Sequence, residues 1–216
     1  LVAPADEAAF IARARAAARE LRVDLVLAYA VLETRSPVLL DNKYLFITDG
    51  GDVLDEYQKH HPVPGEPSIR GTGPLKVLER PYGKVGGAIC YDYDFPAMAR
   101  EHARAGAELV VVPSSDWRGI DPVHTFMARV RAIEGGFSLV RAARWSASGA
   151  FDAHGRVRAW MPAIDDNDGV MVARVPVGRI PTLAATIGDA PVALAGLVLA
   201  GLAALALRRR RAEVAS

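Results

Sequence analysis

The chain has 216 residues, 51% of them hydrophobic and 24% charged, which is enough apolar material for one domain with a full core. The net charge of +1 is unevenly spread: the tail from Arg208 is strongly basic and the remainder slightly acidic, which excludes a nucleic-acid binder that depends on a basic face. A single cysteine excludes an internal disulfide framework and a cysteine-based zinc site.

Leu1 in place of an initiating methionine is read as the start of a C-terminal fragment, and no signal peptide is visible. Ala5 to Leu21 places Phe10, Ile11, Ala14, Ala18 and Leu21 near helical spacing and predicts an amphipathic helix. Val23 to Val31 is a short apolar run suited to a buried parallel strand. Tyr44 to Thr48 and Val53 to Tyr57 flank Asp49-Gly50-Gly51-Asp52 and predict a hairpin, as do Leu75 to Leu78 and Val85 to Cys90 around Pro81-Tyr82-Gly83. Pro96 to Ala105 is a helix entered through proline and closed near Gly106, and Glu108 to Pro113 a further buried strand. Ser114 to Asp121 is a loop, followed by a helix over Pro122 to Ile133. Strands are expected at Ser138 to Arg141, Ala147 to Asp152, Arg156 to Ala159 and Val170 to Val175. Strands alternating with helices and hairpins argue a layered α/β domain.

Pro191 to Leu207 carries no charged or polar side chain and runs straight into Arg208, Arg209, Arg210 and Arg211. That pattern predicts a transmembrane helix with the basic tail in the cytoplasm and the preceding domain outside. The expected organisation is a domain over 1–180, a connector and membrane helix over 181–207, and a basic tail over 208–216.

Cys90 ends the apolar run Val85-Gly86-Gly87-Ala88-Ile89 and precedes Tyr91-Asp92-Tyr93-Asp94-Phe95-Pro96. A thiol between a strand and a helix can face substrate while the sheet fixes its backbone; the alternative is a core cysteine. Lys59 enters a loop held by Pro62 and Pro64 that also presents Glu66, and a cation near a thiol favours the nucleophilic thiolate. His60 and His61 point to opposite sides of an extended segment, and neither His102 nor His124 has a ligand-type partner at helical spacing, so no metal site is expected. Ser114 and Ser115 lack the glycines of a nucleophile elbow.

Four blocks occur in order: Tyr57-x-Lys59-x-His61-x-Val63-Pro64-Gly65-Glu66; Gly87-x-Ile89-Cys90-Tyr91-Asp92-x-x-Phe95-Pro96; Pro113-Ser114-Ser115-Asp116-Trp117; and Met127-Ala128-Arg129-x-Arg131-Ala132-Ile133-Glu134. Together they resemble the carbon–nitrogen hydrolase (nitrilase) superfamily, and within it the apolipoprotein N-acyltransferase family, over Ala8 to Val175. The resemblance implies an α-β-β-α sandwich, here without its first strands, and a Glu-Lys-Cys triad needing no cofactor. Cys90 takes the place of the nucleophile, Lys59 of the oxyanion-stabilising lysine and Glu66 of the second glutamate that positions the site. Tyr91 and Asp92 match a Tyr-Glu pair, which with Trp117 places them near substrate. The triad's glutamate has no counterpart; Glu7 and Glu33 are not assigned to it. Arg144-Trp145-Ser146 stands where the family often has asparagine and glycine.

The resemblance implies acyl transfer from a phospholipid donor to the N-terminal amine of a lipid-modified protein, at a membrane and through a thioester on Cys90. The alternatives are a membrane-tethered amidase or nitrile hydrolase and a non-catalytic binding module. Without the general base, residues 1–216 alone are expected to be inactive.

Overall fold

The computed structural model describes residues 1–162 and 169–214. Helix α1 (Glu7–Leu21) lies on a three-stranded antiparallel sheet of β1 (Leu25–Arg35), β2 (Val38–Ile47) and β3 (Val53–Gln58). A second sheet has the order β4 (Val77–Arg80), β5 (Gly83–Gly87), β6 (Leu109–Ser115), β7 (Ser138–Arg144), β8 (Ser148–Phe151) and β9 (Val157–Met161). Its centre, β5-β6-β7, is parallel and its flanks are antiparallel. Helices α2 (Pro96–Arg104) and α3 (Val123–Gly135) connect those central strands.

The period-2 alternation of strands stacks these layers. On β2, Leu45 and Ile47 meet Ala14 and Ala18 of α1, while Tyr44 and Phe46 join the core shared with the second sheet. On β5, a Cβ at Gly86 would lie 2.5 Å from the His102 ring of α2, and one at Gly87 would lie 2.7 Å from the Tyr44 hydroxyl of the facing sheet. Two successive glycines thus let a helix and a second sheet approach opposite faces of one strand. The outcome is the expected order of helix, sheet, sheet, helix.

Two expected elements differ. The run beginning at Val23 forms an antiparallel strand, because its partner is the adjoining β2 rather than a strand reached by a crossover. Residues 170–175 form no strand: Val170 and Val172 are 85% and 84% exposed, so the apolar alternation has no face packed against the domain. Val2 instead makes a parallel bridge to Val31, giving N–H to Ala30 and accepting from Leu32.

After α4 (Leu183–Ile187) comes α5 (Ala190–Val214). Its Ala190–Leu207 stretch has mean hydropathy 2.3 and buries nothing against the domain. At 18 residues it is roughly 27 Å long, long and apolar enough to cross a bilayer. Of the expected basic tail 208–216, the backbone of 208–214 continues α5, and 215–216 lie outside the described residues.

Candidate active site

Strand β5 ends at Gly87, three residues before Cys90, and Cys90 itself opens a 3-10 turn, Cys90–Asp94. Its φ of 50° places a non-glycine residue in the left-handed region, a cost of order 1–3 kcal/mol that a surrounding structure must hold in place. Asp92 supplies that hold. Fully buried, it accepts the Tyr57 hydroxyl at 2.8 Å, the His61 backbone N–H at 2.7 Å and the Ile89 N–H at 3.0 Å. His61 Nδ1 lies 3.1 Å from the same carboxylate, and its ring stacks on Phe95. Asp92 thereby ties the cysteine turn to the segment that carries Lys59.

Lys59 is 3% exposed and gives its ammonium to Glu66 Oε2 at 2.6 Å. The second carboxylate oxygen of Glu66 accepts Asn42 Nδ2 and Ser68 Oγ, and Oε2 also accepts the Val63 N–H. Burial opposes the Glu66 charge, but these donors, Lys59 foremost, outweigh it and hold the carboxyl down at about 2.

Lys59, Glu66 and Cys90 line one cavity of about 1100 Å³, together with Trp117, Arg144 and Trp145. Three distant segments, 59–66, 90 and 113–117, thus converge on one opening. Glu66 is the only carboxylate among the described residues lining it. Glu7 does not line it, being bound to Lys43 and to the hydroxyl of the lining residue Tyr29, and Glu33 does not line it either. Leu1 and Val2 form part of the wall, where Val2 bridges the edge of β1. Trp145 has φ 61°, a conformation that suits glycine, and the Arg144 guanidinium covers its ring at 3.9 Å.

Two residues expected at the substrate do not line this cavity. Asp92 is enclosed for the reason given, and Tyr91 packs its ring edge-on against Phe95 outside the cavity lining. Trp117 does line the cavity and is 47% exposed.

A charged cluster behind Cys90 was missed in the sequence. Cys90 Sγ lies 3.3 Å from Asp116 Oδ1, Arg141 takes both Asp116 oxygens at 2.9 and 2.7 Å, and His124 Nδ1 lies 3.4 Å from Oδ1. The missed signal was Arg141, a charge in the middle of an apolar strand. A buried arginine requires a buried carboxylate. Cys90, Asp116 and His124 offer ligand atoms within 4.8 Å of one another, but the Arg141 guanidinium occupies both Asp116 oxygens. A fixed cation on that carboxylate makes the cluster an ion-pair network rather than a metal site.

Comparison with known proteins shows the family. The carbon–nitrogen hydrolase family profile matches residues 2–185. An apolipoprotein N-acyltransferase of Geobacter metallireducens is 28% identical over 95% of this chain, which spans 44% of that protein. A deaminated glutathione amidase of Mus musculus is 36% identical over 48% of the chain and 36% of its own length. The chain therefore spans less than half the length of these curated relatives. Among solved structures, a mutant amidase of Nesterenkonia sp. superposes with a TM-score of 0.64 at 25% identity, over 72% of this chain and 63% of that one. That amidase shows covalent addition of the acetamide moiety of fluoroacetamide at its active site cysteine.

Proposed function

The chain belongs to the carbon–nitrogen hydrolase family, and from that premise we propose that it is the cysteine-bearing part of a membrane N-acyltransferase. The observation that carries the proposal is the meeting of Cys90 and the Lys59–Glu66 pair in one large cavity, in a domain continuous with an unburied apolar helix. Cys90 sulfur attacks the ester carbonyl of a phospholipid, forming a C–S bond as the C–O bond breaks and the lysophospholipid leaves with a proton. The amine of a lipid-modified protein then attacks the thioester, forming C–N and restoring the thiol. Splitting the transfer in two lowers each barrier, and Lys59 with N–H groups of the Cys90 turn stabilises each oxyanion.

A cavity at the upper end of ligand-site volumes, walled partly by Val26, Ile89, Val140 and Met161, suits an acyl chain. The helix Ala190–Leu207 would keep that mouth at the bilayer, with the arginines at 208–211 cytoplasmic and the domain on the other side. No carboxylate other than Glu66 lines the cavity among the described residues, so the general base is assigned to a carboxylate beyond them. The test is a tagged phospholipid supplied to membranes containing the protein within its full natural gene product. A hydroxylamine-labile tag on Cys90, absent in Cys90→Ala, is expected; absence of tag in both overturns the transferase reading. The similarity to amidases favours one second reading, amide hydrolysis by the same cysteine, which ammonia release without lipid would support.

A further inference from the structure

The reading above leaves the charged cluster behind Cys90 without a task. Cys90, Asp116, His124 and Arg141 are 5%, 3%, 4% and 1% exposed, so their charges are answered by one another rather than by water. Asp94, at the end of the cysteine turn, is 3.2 Å from His124 Nε2. The ring is thus gripped at both nitrogens, by Asp116 from the end of β6 and by Asp94.

Hydrogen bonds to Asp116, then to Asp94 and Cys90, outweigh burial and push the His124 imidazole up to about 11. At neutral pH it is a cation with both N–H groups committed. It therefore has no lone pair with which to take the thiol proton, and it is not the missing base.

Two cations, Arg141 and His124, face two carboxylates, Asp116 and Asp94, and the cluster is neutral. Across the cavity, Lys59 is matched by Glu66 at 2.6 Å. Tyr91 adds only its ring, 6.0 Å from that of His124. Once the sulfur loses its proton it becomes a surplus negative charge, and Arg141 is already spread over both Asp116 oxygens.

We propose that His124, clamped by Asp94 and Asp116, is a positioning cation that compensates charge on Cys90 and holds its sulfur at the cavity wall. The proposal rests on Cys90 being the nucleophile. Asp116 acts in the opposite sense: it accepts the S–H of the resting thiol and repels the thiolate.

The chain's single cysteine makes the test clean. Alkylation of the full chain in detergent micelles by iodoacetamide is followed by intact mass from pH 5 to 10. His124→Gln is expected to slow alkylation at pH 7 about tenfold and to raise the midpoint of the rate–pH curve by about one unit. Asp94→Asn, which loosens the ring from a partly exposed position, moves it the same way by less. Asp116→Asn moves it down. Unfolding would expose the sulfur and speed the reaction, so slower alkylation cannot arise from loss of fold. Unchanged midpoints in His124→Gln and Asp94→Asn overturn the proposal while leaving Cys90 a nucleophile. A native Cys90 that resists alkylation at every pH overturns the nucleophile reading itself.

Discussion

Replacing Glu66 by glutamine keeps the shape of the side chain and removes its charge from beside a lysine that is 3% exposed. Glu66 is held at about 2 in the folded chain against 4.5 in the unfolded one. At 1.36 kcal/mol per unit, this depression stabilises the fold by about 3 kcal/mol at pH 7. The sign follows from a lowered carboxyl: the contribution is complete above pH 4.5 and is lost as pH falls towards 2. Breaking a buried ion pair from one side independently suggests about 3–5 kcal/mol. Urea unfolding of the full chain in micelles, read by tryptophan fluorescence, should therefore show Glu66→Gln about 3 kcal/mol weaker at pH 7. The gap should close as pH approaches 2. An equal gap at both ends of that range, or none at pH 7, would refute the electrostatic account of this pair.

Arg141→Met leaves the Asp116 carboxylate buried without its bidentate partner and should cost about 3–5 kcal/mol in the same assay, with the double change Arg141→Met, Asp116→Leu recovering most of it. His102 is buried in α2 with Nδ1 2.8 Å from the Tyr93 hydroxyl, and burial lowers it to about 4. Its neutral form stabilises the fold fully above 6.5, and that contribution, about 3 kcal/mol, is lost as pH falls from 6.5 towards 4. His102→Gln should flatten the stability curve across that interval, most of which lies above the range in which Glu66 titrates.

The lysine loop and the cysteine turn were legible because their chemistry is local. Three prolines and a glycine around Glu66, and the abrupt change from an apolar run to Tyr91-Asp92, mark constrained turns wherever they occur. The bracing by Asp92 was not legible for the opposite reason: its partners Tyr57 and His61 come from more than thirty residues upstream. His124 was set aside because partners were sought at helical spacing, while its carboxylates lie at Asp94 and Asp116, in different elements. The strand expected at Val170 to Val175 did not form because periodicity describes a face and says nothing about whether that face is packed.

The sequence by itself determined the layered α/β class, most of the helices and strands, the apolar C-terminal helix and, each on its own, the cysteine turn and the lysine–glutamate loop. Each of these depends on residues close along the chain, whose spacing and turn chemistry act before any packing. The tertiary structure alone decided which charges share the buried ground behind Cys90, and that Asp92 ties its turn to the lysine segment. Burial leaves an ionised group no solvent to answer it, so its partner must come from whichever strand or helix the fold brings near.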